Sequence, residues 1–306
     1  MADLSVATNR PVQGAVPLSN RTKWLPFWLL LPSILVLLAL QVWPTVYSVY
    51  LSTTRVRAGV FQDVGLRNFE RLLTSRTFHN SLLFTLEYTF FYVTFTVVLG
   101  MVIALLLNRR IKFTGWYLVV IFIPWVISDV VAGTMWRWLF QPSYGLLQSW
   151  INLYLPGIGL SDHLYTTAGG AQAIVILAAV WRGLAFTTLL SLGALQTVPS
   201  EIIESASLDG ANRFQRFFRI IFPLVRPTLL VMILLVTIQS VNSVGLVYAI
   251  TKGEPGGATR TAAFFLLQTG WEQGDFGLGS AASVTMFFIN MILTLFYLRL
   301  MGRKAD

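Results

Sequence analysis

The side chains able to do chemistry in this sequence are polar groups set inside apolar runs: Glu87, Asp129, Arg182 and the cluster Gln239, Ser240, Asn242 and Ser243. Each is costly in hydrocarbon unless it is paired or faces water, so each marks a functional site or a structural contact. Several roles are open at this point. Glu87 and Asp129 could relay protons or ions, whereas Asp129 and Arg182 could simply neutralise one another across two helices. Ser240, Asn242 and Ser243 could hold helices together, as small polar residues do in membranes. Glu87 has no evident partner and is structural by default. Arg137, near the end of its apolar run, can reach the interface with its charged tip.

The missing residue types narrow the chemistry further. There is no Cys, which excludes disulfides, thiolate metal sites and a Cys nucleophile. The two histidines, His79 and His163, fall outside the apolar runs, so neither a His-based metal site nor an intramembrane Ser/His hydrolase is expected. The lysines are Lys23, Lys112, Lys252 and Lys304, and none sits in the glycine-rich setting that cradles a nucleotide's phosphates. The chain is therefore expected not to be an enzyme. Any ATP and magnesium must be held by a separate subunit.

Composition sets the elements that position these groups. Of 306 residues, 55% are hydrophobic and 11% charged, with a mean hydropathy of +0.68. Apolar runs near twenty residues predict an all-α, polytopic membrane protein. Six spans are expected, at about 24–47, 82–107, 117–140, 172–195, 228–251 and 281–300. Residues 1–20 are polar and Pro/Gly-spaced and predict a disordered tail; residues 21–306 form the membrane domain. The first apolar run is too long for a signal-peptide core and no small-residue cleavage site follows, so it is taken as retained. Thirteen Lys and Arg fall in the tail, the 108–114 loop, the 196–227 segment and the end from Arg299, against seven in the opposite loops. The net charge of +9 therefore expresses topology, with both termini cytoplasmic, and is not a nucleic-acid footprint. The loop at 51–78 runs against this bias with five arginines. There Leu66, Phe69, Leu72 and Leu73 share one helical face, which predicts a short helix on the outer surface. The 141–170 loop is rich in Gly, Pro and Tyr and is expected to pack over the bundle.

One polar segment stands apart, between the fourth and fifth spans at about 196–227. Pro199 stops the preceding helix and Ser200 is a candidate N-cap, with Glu201 and Glu204 in the first turn. Ala206 and Gly210 are four residues apart, so a helix would give them one nearly bare face. Asp209-Gly210 predicts a bend between two short helices. Phe214, Phe217, Phe218 and Ile221 then form an apolar stripe, with Arg213, Arg216 and Arg219 off it. The segment is either a docking hairpin or an ordinary interfacial connector.

This segment resembles the EAA loop of binding-protein-dependent ABC importer permeases. The matching positions are Glu204, Ser205, Ala206, Gly210, Ile220, Phe222 and Pro223, with Ser205 in place of Ala and Phe222 in place of Leu. Further stretches are similar to the carbohydrate-type branch, which serves maltose, glycerol phosphate and related solutes. They are Gly65 to Phe69, Pro124-Trp125, Trp136 to Phe140, Ala194 to Pro199, Thr251 to Thr259 and Asp275 to Ser283. The resemblance runs from about residue 24 to residue 300.

The resemblance implies a permease subunit of the prokaryotic inner membrane, multi-pass, that takes a sugar or sugar-like solute from an external solute-binding protein. Its implied partners are a second, homologous permease and two copies of an ABC ATPase, with membrane lipid around the bundle. Glu201, Glu204, Ala206, Asp209 and Gly210 are the implied ATPase-coupling residues. Alignment on the landmarks Pro124 and Trp181-Arg182-Gly183 implies a substrate pocket from Trp125, Asp129, Arg182, Gly183, Ser240, Asn242 and Ser243. An aromatic face and forked donors suit a polyhydroxylated ligand, and a guanidinium would suit an anionic one. Trp125 could equally be a core aromatic. The competing class is an ion-coupled secondary transporter using Glu87 and Asp129.

Overall fold

The computed structural model describes residues 25–57, 60–109, 112–154 and 164–302. The predicted tail at 1–20 lies outside the described residues. The chain divides into two compact units, residues 1–48 and 49–306.

The described residues of the first unit are helical. Helix α1, Leu25–Leu37, passes through a π-helical turn, Leu38–Val42, into α2, Trp43–Ser52. The Trp43 amide donates five residues back to Leu38, and Pro44 follows with no amide to offer, so the wider turn falls where the α ladder is interrupted.

The second unit holds the bundle. A short antiparallel hairpin pairs β1, Thr54–Arg57, with β2, Val60–Asp63, in the register Thr54 opposite Asp63. It is the one departure from all-α structure among the described residues. Next comes α3, Arg67–Thr74, the short helix expected from the Leu66 to Leu73 face. The long spans are α4, Arg76–Leu107, α8, Ala168–Gln196, the continuous rod Arg213–Val241, and α14, Phe276–Gly302. Five described helices are long and apolar enough to cross a membrane, or six if the bent pair α5, Thr114–Val126, and α6, Asp129–Leu139, counts as one.

That pair corrects the expectation of one straight span at 117–140. The two halves meet at 94°. Pro124 removes an amide donor from the last turn of α5, and Ser128 starts a new helix by accepting the Val131 amide at 3.4 Å. The fifth span is also shifted from 228–251. It begins at Arg213 as α10, Arg213–Arg216, crosses a π-helical turn, Phe217–Ile221, and continues as α11, Phe222–Val241. Here too the residue before a proline, Phe222, bonds five residues back. The stretch after Val241 breaks at Asn242 and restarts as α12, Gly245–Ile250. The 141–170 region contains a helix, α7, Leu146–Tyr154.

The bundle is held by close small-residue contacts. A Cβ on Gly183 of α8 would come within 2.7–2.9 Å of Tyr92 and Thr96 of α4, so glycine there lets the two helices touch. Thr187 donates across the same seam to the Thr96 carbonyl at 2.8 Å. Lower on α4, Met101, Ala104 and Leu107 pack against Leu192, Leu195, Val225, Leu229 and Met232. Near the hairpin, Leu72 and Phe78 pack with Phe265, Ala281, Ala282 and Met286. Helix α13, Ala262–Leu267, is tied in where the Ala262 amide meets the Thr85 hydroxyl at 2.8 Å.

Candidate substrate-binding cavity

A cavity of about 230 Å³ opens midway along α4 and α8. Five helices and one break supply most of its walls. Helix α4 contributes Tyr88 and Tyr92, α5 contributes Trp125, and α6 contributes Asp129. Arg182 and Gly183 come from α8, Gln239 and Ser240 from the end of α11, and Asn242 and Ser243 from the break before α12. All seven pocket positions expected from the sequence thus lie around one space.

Their side chains are not equally free. The Arg182 guanidinium ion-pairs with Asp129 and donates from Nε and Nη2 to the Ile127 carbonyl at 3.1 and 3.0 Å. Ile127 is the residue at which α5 ends. Arg182 therefore covers the negative end of α5 while Asp129 sits in the first turn of α6, where a carboxylate is favoured. The pair binds the two halves of the bent span together. It also leaves the cavity without net charge, because no other charged residue lines it among the described residues.

Ser240 is buried; its hydroxyl donates to the Thr237 carbonyl at 2.8 Å and meets the Thr89 hydroxyl at 3.0 Å. It touches the cavity mainly as an inter-helix contact. Ser243 accepts from the Tyr88 hydroxyl at 3.2 Å. Asn242 exchanges amide bonds with Asn290 of α14, each 3.3 Å long. Gln239 accepts from the Tyr92 hydroxyl at 3.2 Å, which leaves its amide NH₂ available as a donor. Trp125 is 40% exposed and lies beside Phe122 at 4.9 Å between centroids. Gly245 has almost no room for a side chain, since a Cβ there would fall 2.8 Å from that of Asp129.

Sequence reasoning missed Tyr88, Tyr92 and Gln239 as lining residues and Asn290 as a partner. The tyrosines stack at 5.9 Å, nearly parallel. Their i, i+4 spacing with polar tips on the buried face of α4 was the available signal. Glu87 is placed elsewhere. It is exposed on α4 and does not line the cavity.

The 196–227 segment forms two helices with a turn. Helix α9, Ser200–Leu208, has Pro199 at the N-cap position without a side-chain cap, and Ser200, the expected N-cap, is already its first helical residue. Asp209 ends it, and Gly210 turns the chain with φ of +81°, where a side chain would be strained. Asn212 and Gln215 then form a reciprocal capping box that starts α10. Glu201, Glu204, Asp209 and Gly210 are exposed, but Ala206 is buried. The expected bare face of Ala206 with Gly210 does not form, since the helix stops at Leu208 and the turn swings Gly210 away.

At the other end of the bundle the motifs around Gly65 and Asp275 come together. Asn68 donates to the carbonyls of Ser52 and Thr54 at 3.0 and 2.8 Å. Arg71 pairs with Asp275 at 2.9 Å. Gly277 fits against Asn68, whose Nδ2 would lie 2.8 Å from a Cβ. Tyr165 donates to the Ile250 carbonyl, and Gln172 to that of Ala258 at 2.9 Å, which fixes the 251–260 loop over the end of α8.

Residues 96–305 match the family described as binding-protein-dependent transport system inner membrane component. The chain belongs to this family. The permease is a multi-pass inner-membrane transport component and not a catalytic subunit. It is 35% identical over 291 residues to the trehalose/maltose transport system permease protein MalF of Thermococcus litoralis, across 94% of this chain and 97% of that protein. It is 30% identical over 286 residues to the sn-glycerol-3-phosphate transport system permease protein UgpA of Agrobacterium fabrum, covering 92% and 96% of the two. The permease also shares its fold with a chain of the bacterial alginate ABC transporter solved in complex with an alginate pentasaccharide-bound periplasmic protein. That match has a TM-score of 0.80 at 20% identity and covers 94% of this chain and 96% of the other.

Proposed function

We propose that this permease carries a neutral sugar or sugar-like solute, received from an external binding protein, through the cavity lined by Tyr88, Tyr92, Trp125 and Ser243. The observation that carries the proposal is the makeup of the cavity: aromatic rings, hydroxyls and a carboxamide around an ion pair that cancels itself. Rings and forked hydrogen-bonding groups suit a polyhydroxylated ring. The names of the relatives, a trehalose/maltose permease and a glycerol-phosphate permease, support the same class. The Arg182 charge is already met by Asp129, so a neutral ligand is favoured. The cavity is smaller than the ~300–1,000 Å³ usual for small-molecule sites. That size suits one sugar ring, or a site completed by a second permease.

The energy would come from outside the chain. Two copies of an ABC ATPase, holding ATP and magnesium, would dock against α9 and the Gly210 turn, with Glu201, Glu204 and Asp209 as exposed contacts. The excess of Lys and Arg on that side supports a cytoplasmic location for it and for both termini. The ion-coupled alternative is less favoured, because Glu87 lies off the cavity.

The test is ATP hydrolysis by the reconstituted complex with its binding protein, stimulated by neutral disaccharides or by phosphorylated polyols. Stimulation by a neutral sugar, weakened by Gln239→Leu, is expected. Stimulation by anionic solutes alone would overturn the proposed substrate class.

A further inference from the structure

At the α9 end of the bundle lies a second, larger space of about 850 Å³. The end of α4 lines it with Leu105 and Arg109. Across from them stand Arg213, Phe214, Arg216 and Phe218 of the α10 turn. None of the three guanidiniums has a hydrogen bond or ion pair to another described residue, and no acidic side chain lines the groove. Phe214 is 77% exposed and Phe218 61% exposed. Three uncompensated positive charges thus border bare phenyl rings where the apolar spans α4 and α11 begin and end.

Both features need covering. Free phosphate would answer the arginines and leave the rings wet, while a neutral apolar segment would cover the rings and strand the charges. We propose that the groove holds an anionic phospholipid, its phosphate among Arg109, Arg213 and Arg216 and its upper acyl chain along Phe214, Phe218 and Leu105. Basic pockets between membrane helices suit such headgroups. The inference is independent of the solute carried and of the cavity at Tyr88.

The test uses the full chain in its transporter complex, in nanodiscs of phosphatidylcholine with or without phosphatidylglycerol. Retained phosphatidylglycerol is counted by native mass spectrometry. The variant Arg109→Gln/Arg213→Gln/Arg216→Gln should retain less by roughly tenfold or more, at a factor of about five per basic side chain near an anionic surface. Arg219→Gln, an arginine of the same turn that does not line the groove, should leave retention unchanged. Equal loss in both variants would mean diffuse surface attraction and overturn the site. Loss of the ATPase subunit with lipid retention intact would assign the groove to protein docking and overturn it as well. On the unsubstituted complex, photoreactive phosphatidylglycerol should label residues 213–218 in competition with unlabelled phosphatidylglycerol but not phosphatidylcholine; labelling confined to other segments would contradict the proposal.

Discussion

Arg182 and Asp129 join across the break in the third span, the guanidinium closing the end of α5 while its partner carboxylate opens α6. One contact therefore does two jobs. It holds a 94° bend in place, and it makes a pair of membrane-depth charges tolerable. The pair also shapes the cavity, because Trp125 lies on one side of the bend and Asp129 on the other.

Removing one partner should be worse than removing both. Arg182→Met leaves Asp129 unpaired and the α5 end uncovered. The Asp129 side chain is 43% exposed, so the loss should fall below the ~3–5 kcal/mol of a fully buried pair, at about 1–3 kcal/mol. The double variant Arg182→Met/Asp129→Leu should recover part of this. Denaturant unfolding of all three variants measures the coupling, and strict additivity would show that the pair does not support the bend.

Gly183 sets the distance between α4 and α8. Gly183→Ala should cost about 1–3 kcal/mol by overpacking, since its methyl meets Tyr92 and Thr96. Gly183→Leu should prevent assembly. Melting temperature in detergent reports the first and yield of monodisperse protein the second. Unchanged stability of Gly183→Ala would mean that the helices can part without penalty.

Ser240 and Gln239 are adjacent but should behave differently. Ser240→Ala removes an inter-helix bond worth about 0.6 kcal/mol, with little effect on solute affinity. Gln239→Leu should lower affinity by roughly tenfold, the scale of one lost hydrogen bond to the ligand, and should also cost about 1 kcal/mol of stability because the Tyr92 hydroxyl loses its acceptor. Uptake kinetics separate the two, and thermal unfolding reads the stability costs.

Glu204→Lys, on the exposed face of α9, should leave the permease folded while uncoupling solute binding from ATP hydrolysis. Gly210→Val must place a β-branched residue at φ of +81°. It should disturb the turn by ~1–3 kcal/mol. Intact solute-stimulated hydrolysis in both variants would remove this segment from the coupling path.

Much of the architecture was legible because apolar length is a strong signal. The spans near 82–107, 172–195 and 281–300 lie inside α4, α8 and α14. The break at Ile127 was not legible, since both halves of 117–140 are apolar and only Pro124, Ser128 and Asp129 mark it. The fifth span slipped for a related reason: Arg213, Arg216 and Arg219 look like loop residues, yet the helix runs through them. The seven expected pocket residues lie on one cavity because they sit beside sequence landmarks. Tyr88 and Tyr92 escaped because an aromatic in an apolar helix looks like core. Ala206 was misplaced because its spacing to Gly210 assumed a helix that in fact ends at Leu208.

The absence of Cys makes the most direct measurement simple. Ser243→Cys places the only thiol on the cavity wall, and Ile123→Cys places one in an apolar recess elsewhere on α5. In the reconstituted complex the transported sugar should slow alkylation at position 243 and leave position 123 unaffected. Full alkylation at position 243 under saturating sugar, in a variant that still transports it, would mean that the solute crosses by another route.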